Sequence, residues 1–191
     1  MGPTTPKRFA DRIRNLVAGH DTLASIAQAL LSVHEVLLRE LNGFDKRVRT
    51  MARDDPRVRL LMSAPGVGPI VALTYVSAID DPRRFKSSKG VGAHLGLTPR
   101  KYQSGETDRD GRISKIGDAS TRSALYEAAH IILTMPVKGG WLKSWAAKLA
   151  KRAGLRKAKV ALARRLAVIL HRMWIDGTGF DFIAPKRVAA A

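Results

Sequence analysis

The 191 residues carry 34 Lys and Arg against 16 Asp and Glu, a net charge of +18, with no cysteine; this excludes disulfides and thiolate metal sites and favours a polyanionic partner. With 45% apolar residues the chain can bury one core plus an extension, short of two ordinary domains of about 100–150 residues each. No signal-like apolar run follows Met1, and no stretch approaches the ~20 consecutive apolar residues that span a bilayer, so a soluble, cytoplasmic, nucleoid-associated protein is expected.

Residues 1–20 read as an N-terminal arm. From 21 to 53, Leu23, Ile26, Leu30, Val33, Leu37, Leu41, Phe44, Val48 and Met51 recur at spacings of three or four, a coiled-coil pattern along one helix face, with Asp21 as its expected N-cap. Such a stripe must be covered. Either a second copy covers it, giving a homo-oligomer through residues 23–51, or the same chain does, as for an ordinary core helix. Gly43 inside the pattern weakens it by about 1 kcal/mol relative to Ala.

Three proline-led helix starts follow, Asp55-Pro56, Gly68-Pro69 and Asp81-Pro82, opening a compact helical domain over 54–176. Helices over 57–64 and 69–79 are joined by Pro65-Gly66-Val67-Gly68. This hairpin resembles a helix-hairpin-helix element, in which Gly66, Val67 and Gly68 would offer backbone amides to a phosphate. A plain αα-corner is the alternative. The short helix before Leu95 is loosened by Gly90 and Gly92.

Between Pro99 and Gly117 the periodicity vanishes, which predicts a long loop or irregular hairpin of functional character. It sets Ser104 among Arg100, Lys101, Arg109, Arg112 and Lys115, equipment for handling a phosphodiester. The bland reading of Ser104-Gly105 is a polar turn. Attack on phosphorus by a hydroxyl needs a proton acceptor as well as cations. No residue reads as an evident base, and His94 reads as a packed side chain.

Asp118 or Ser120 then caps a helix carrying Leu125, Ala128, Ala129, Ile132 and Leu133 on its buried side. Two amphipathic helices follow, over 141–153 and 156–175, with basic outer faces. From Ala128 to Ile175 there is no acidic residue, and Lys151, Arg152, Arg156 and Lys157 are read as phosphate contacts. Trp141, Trp145 and Trp174 read as core anchors. Residues 177–191 read as a loosely attached tail. The expected fold is mainly α: a long coiled-coil helix, then a compact helical domain with a helix-hairpin-helix-like element and a long irregular catalytic loop.

In order, Leu61-Met62-Ser63-Ala64-Pro65-Gly66-Val67-Gly68-Pro69, Asp81-Pro82-Arg83-Arg84-Phe85, Gly96-Leu97-Thr98-Pro99-Arg100-Lys101-Tyr102-Gln103-Ser104-Gly105, Ile113-Ser114-Lys115-Ile116-Gly117 and Arg122-Ser123-Ala124-Leu125 resemble the motifs of one family. It is the carboxy-terminal transposase domain of the DEDD-type insertion-sequence transposases, the bridge-RNA-guided recombinases, and the resemblance covers about Leu23–Phe182, coiled coil included. It implies that Ser104, the serine of the Tyr-x-Ser-Gly motif, attacks the scissile DNA phosphate. It implies DNA and a structured guide RNA as partners.

Members also carry an amino-terminal RNase-H-like domain whose four acidic residues hold magnesium, and residues 1–20 are too short to be one. Asp80, Asp81, Glu106, Asp108, Asp110 and Asp118 show no two-metal spacing. The expectation is therefore a truncated transposase or an excised half, with no metal site or cofactor of its own and inactive without the acidic domain. Three functions stand side by side: a recombinase subunit using Ser104, a non-catalytic nucleic-acid-binding module, and an oligomerisation protein built on the 23–51 seam.

Overall fold

The computed structural model describes residues 5–104 and 107–183, and the side chains of these except at 102–110. Among them the fold is mainly α, with one two-stranded sheet. The chain divides into two compact units, Met1–Arg49 and Thr50–Ala191.

In the first unit the expected arm contains a helix, α1 (Pro6–Leu16), started by Pro6 and capped by the Thr5 hydroxyl, which accepts from the Arg8 amide. Phe9 of α1 lies 5.5 Å from the His34 ring on α2 (Asp21–Asp54). Asp21 is the first helical residue of α2 and not its N-cap as expected, and a carboxylate there suits the positive end of the helix. Leu31 is buried, but the predicted seam is not: Leu30 is 67% and Leu37 63% exposed.

The second unit is built around α8 (Leu155–Asp176), which packs against α3 (Pro56–Leu61), α5 (Ser88–His94), α6 (Ala119–Thr134) and α7 (Gly140–Ala153). Leu162, Leu166 and Leu170 recur every fourth residue and are fully buried, with Ala163 and Ala167 letting neighbouring helices approach. Across the core from α8, α4 (Pro69–Ile79) inserts Tyr75, whose hydroxyl donates to the Ala167 carbonyl at 2.7 Å. Burial pushes that phenol's pKa up. His171, also buried, receives the Ser88 hydroxyl at Nδ1 and donates from Nε2 to the Pro82 carbonyl. It thereby pins α5 and the single 3₁₀ turn Pro82–Arg84 to α8.

Each predicted helix start is used. Asp55 caps α3 by accepting from the Arg57 and Val58 amides, and the Arg57 guanidinium closes on it at 2.7 Å, lowering its pKa. Asp118, not Ser120, caps α6, and its hydrogen bonds with Thr121 hold its carboxyl below the ordinary range. The helix expected over 57–64 ends at Leu61, with Met62 and Ser63 continuing as a turn.

Four further expectations are corrected or sharpened. Of the two alternatives for the stretch from Pro99, the irregular hairpin is the one formed: β1 (Pro99–Ser104) and β2 (Thr107–Ile113) pair antiparallel, and the long loop is not. His94 is exposed, with its ring 2.8 Å from the Arg84 guanidinium and edge-on to Phe85. Gly92 is buried: a Cβ there would come within 3.1 Å of the Arg164 stem, so this glycine lets α5 and α8 meet. The tail is docked as far as it is described. Phe180 is buried, its amide bonds the Ser63 hydroxyl, and the Trp141 indole donates to the Asp181 carbonyl.

The hairpin is rooted where two backbones cross. A side chain at Gly117, φ 98°, would collide with the His94 carbonyl, and one at Gly96, φ 65°, with the Ile116 backbone. Gly117→Ala is therefore expected to destabilise the second unit by about 2 kcal/mol or more, adding a clash to the cost of a positive φ. Gly154→Ala, also at positive φ but facing open space, should cost about 1 kcal/mol. Thermal melts of the two variants measure the difference; equal melting points would show that the crossing is looser than described.

Candidate nucleic-acid interface

The hairpin root brings cations together. β2 carries one extra residue, since Pro99 pairs with Ile113 but Lys101 with Asp110, and such a bulge turns the strand next to Arg112. Below it, the Ser114 amide bonds the Thr98 carbonyl at 2.9 Å and the Lys115 amide the Gly96 carbonyl at 3.0 Å. Lys115 sits at φ 57°, a conformation uncommon for a residue with a side chain. Arg100 reaches back to the Ser114 carbonyl at 3.2 Å.

Arg122 of α6 donates to the Leu95 carbonyl at 3.1 Å, with the Gly117 carbonyl at 3.5 Å. It clamps the hairpin root to the helical core. Its motif was visible in the sequence, but nothing there indicated that its targets are backbone carbonyls.

Beside this root lies a groove of about 1080 Å³ between the hairpin and α7–α8. Its floor is apolar, from Leu97, Ile113, Val160, Ala161 and Val168, and its rim carries Arg112, Lys115, Arg156, Lys157, Arg164 and Arg165. No acidic residue is among the described lining residues. Lys151 and Arg152 close the last turn of α7 just before the Gly154 corner, within a few residues of Arg156 and Lys157. Part of their effect is local, since cations suit a helix C-terminus.

Arg165 was not singled out from the sequence as a site residue. Its guanidinium lies 4.8 Å from the Trp141 ring centroid and 4.3 Å from that of Trp145, an arrangement that holds it by cation–π attraction. Burial lowers its pKa, yet a guanidinium stays charged at any ordinary pH. The three tryptophans do pack against the core, each half-buried, and Trp145 also lines the groove.

Of the predicted site residues, Arg112, Lys115, Arg156 and Lys157 share the groove. Ser104 stands opposite Thr107 at the far end of the hairpin and Arg109 opposite Tyr102; both side chains lie outside the described ones, as do those of Glu106, Asp108 and Asp110. Lys101 is exposed on β1. Gly66, Val67 and Gly68 do not line the groove. Gly66 packs on α6, where a Cβ would fall 2.7 Å from the Ala128 carbonyl. The Val67 amide bonds the Ala64 carbonyl, so this residue is not free to donate to a phosphate.

Among the described residues no three His, Cys, Asp or Glu side chains converge as metal ligands. Asp55, Asp81 and Asp118 are occupied as helix caps. The carboxylates of the described residues do not fit a magnesium site. No described helix is long and apolar enough to cross a membrane.

Residues 58–144, from α3 through the hairpin to the start of α7, match the family described as Transposase IS116/IS110/IS902. A putative transposase, y4pF/y4sB, of Sinorhizobium fredii is 31% identical over 170 residues, 86% of this chain and 44% of the relative. The transposase for insertion sequence element IS1328 of Yersinia enterocolitica is 26% identical over 187 residues, 95% and 56% of the two chains. A probable family 20 transposase of Pseudomonas aeruginosa is 32% identical over 137 residues, 71% and 40%. The chain thus spans about half the length of the curated relatives it matches. The matched segment includes the hairpin and Arg122, while most of the basic rim, on α8, lies beyond residue 144.

Proposed function

We propose that this chain is part of a DNA transposase, gripping DNA phosphates through the cations around the groove and the α7–α8 corner, with Ser104 as the nucleophile. The observation that carries the binding half is the groove rim: six cations and no described acid. Phosphates displace condensed counterions on meeting such a surface, which favours association without reading sequence. The same face suits folded RNA, and a guide RNA would hold the target information that phosphate contacts cannot encode.

The Ser104 half rests on the match of its motif. In the proposed step the serine Oγ bonds to phosphorus, the P–O bond to the leaving strand breaks, and the Oγ proton passes to an acceptor outside the described side chains. Arg100 and Arg112 stand toward the root of the strands that lead to the serine, about 13 Å of strand away, suited to holding phosphates that flank the scissile one. Incubation with labelled DNA discriminates the readings. A denaturing-gel adduct in a complete, magnesium-supplied assembly supports the recombinase; salt-sensitive binding that never yields an adduct supports a binding module alone. Weak binding with tight self-association would leave only the seam.

The seam is the second element proposed. Eight of its nine apolar side chains are more than half exposed, and a second copy of α2 is the cover that its three-four spacing fits. Leu30→Asp with Leu37→Asp is expected to convert a dimer into monomers by light scattering, with the melting of the second unit unchanged. A wild type that stays monomeric at high concentration would reject this.

A further inference from the structure

The groove joins two chemistries that duplex phosphates alone do not explain. Its rim is cationic, but its floor is apolar: Val160, Ala161, Val168 and Ile113 are partly exposed there, over the buried Leu97. A duplex keeps its bases stacked inward and would leave that floor wet. The flat apolar faces of bases become available when a strand is unpaired. Trp145 adds an aromatic surface to the lining. Arg165 is held beside two indoles, 4.8 Å and 4.3 Å from their ring centroids, which places a half-buried cation on the groove lining and favours an incoming anion.

We propose that the groove takes an unstacked base of single-stranded DNA, with the Arg165 guanidinium and the Arg156 and Arg164 side chains on the flanking phosphates. DNA is chosen over RNA because the groove is lined by the root of the same hairpin that carries Ser104, and the inference rests on the DNA-strand reading of that serine. An acidic amphipathic peptide would match the rim but would gain nothing from a hairpin leading to a phosphate-directed hydroxyl.

The test is fluorescence anisotropy with the full chain and four probes: a duplex, its single strand, the single strand as RNA, and an acidic amphipathic peptide. Charge density alone favours the duplex, so tighter binding of the single DNA strand is the expected and diagnostic result. Ala161→Phe fills the floor and leaves every cation in place; it should weaken single-strand binding about tenfold, in line with the loss of one stacked base, and leave duplex binding and its salt slope unchanged. Independently of that variant's folding, the single strand should quench tryptophan emission in the wild type, and Trp145→Phe should remove most of the quench.

Equal, salt-sensitive binding of duplex and single strand, untouched by Ala161→Phe, would overturn this inference while sparing the proposed function. Preference for RNA or for the peptide would overturn the assignment to DNA. Absence of binding to any nucleic acid would overturn the proposed function itself.

Discussion

Ser104→Ala is expected to abolish the covalent protein–DNA adduct in a complete, magnesium-supplied assembly while leaving salt-dependent binding almost unchanged. The two readouts separate because one hydroxyl contributes little to phosphate affinity, whereas the adduct requires the Oγ atom itself. Arg100→Ala and Arg112→Ala should be intermediate, slowing adduct formation without eliminating it, as befits side chains that position the strand by flanking phosphates. Arg100 also braces the Ser114 carbonyl, so its variant needs a thermal melt beside the gel. Undiminished adduct from Ser104→Ala would remove the serine from the proposed chemistry and leave a binding module.

Helix boundaries were legible wherever a side chain or proline punctuates the chain. Pro56, Pro69 and Pro82 open their helices, and Asp55, Asp81 and Asp118 cap theirs. The hairpin was harder to read, because Thr107–Ile113 is a polar strand with a bulge and no alternating apolar face. Its order comes from elsewhere: the Gly96–Gly117 crossing and the Arg122 clamp, contacts between residues some 20 positions apart that no local pattern records. For the same reason local pattern does not show that the tail is docked over residues 177–183. Phe180 finds Trp141 and Ser63, partners distant in sequence.

The candidate site was legible as composition and not as shape. Arg112, Lys115, Arg156 and Lys157 could be named from charge alone, but that they share one groove depends on α8 returning past the hairpin root. Arg165 was hidden because its Trp141 and Trp145 partners lie on another helix. Gly66–Gly68 shows the converse: a glycine pattern read as uncovered amides is partly a packing device against α6.

Substituting Lys151, Arg152, Arg156 and Lys157 with Gln should flatten the salt dependence of nucleic-acid binding. Each lost phosphate contact reduces the log–log slope by about 0.9 on duplex DNA, so four contacts would remove roughly 3–4 from it, whatever the DNA sequence. These side chains are exposed and none forms an ion pair among the described residues, so the variant should melt close to the wild type. The effect then belongs to binding and not to folding.

The most direct measurement is the equilibrium affinity of the wild-type chain for duplex DNA between 50 and 200 mM salt, run beside that four-residue variant. With about six phosphate contacts, wild-type affinity should fall roughly a thousandfold across the range and the variant's much less. A flat wild-type response, or an identical slope in the variant, would contradict the basic-face interface.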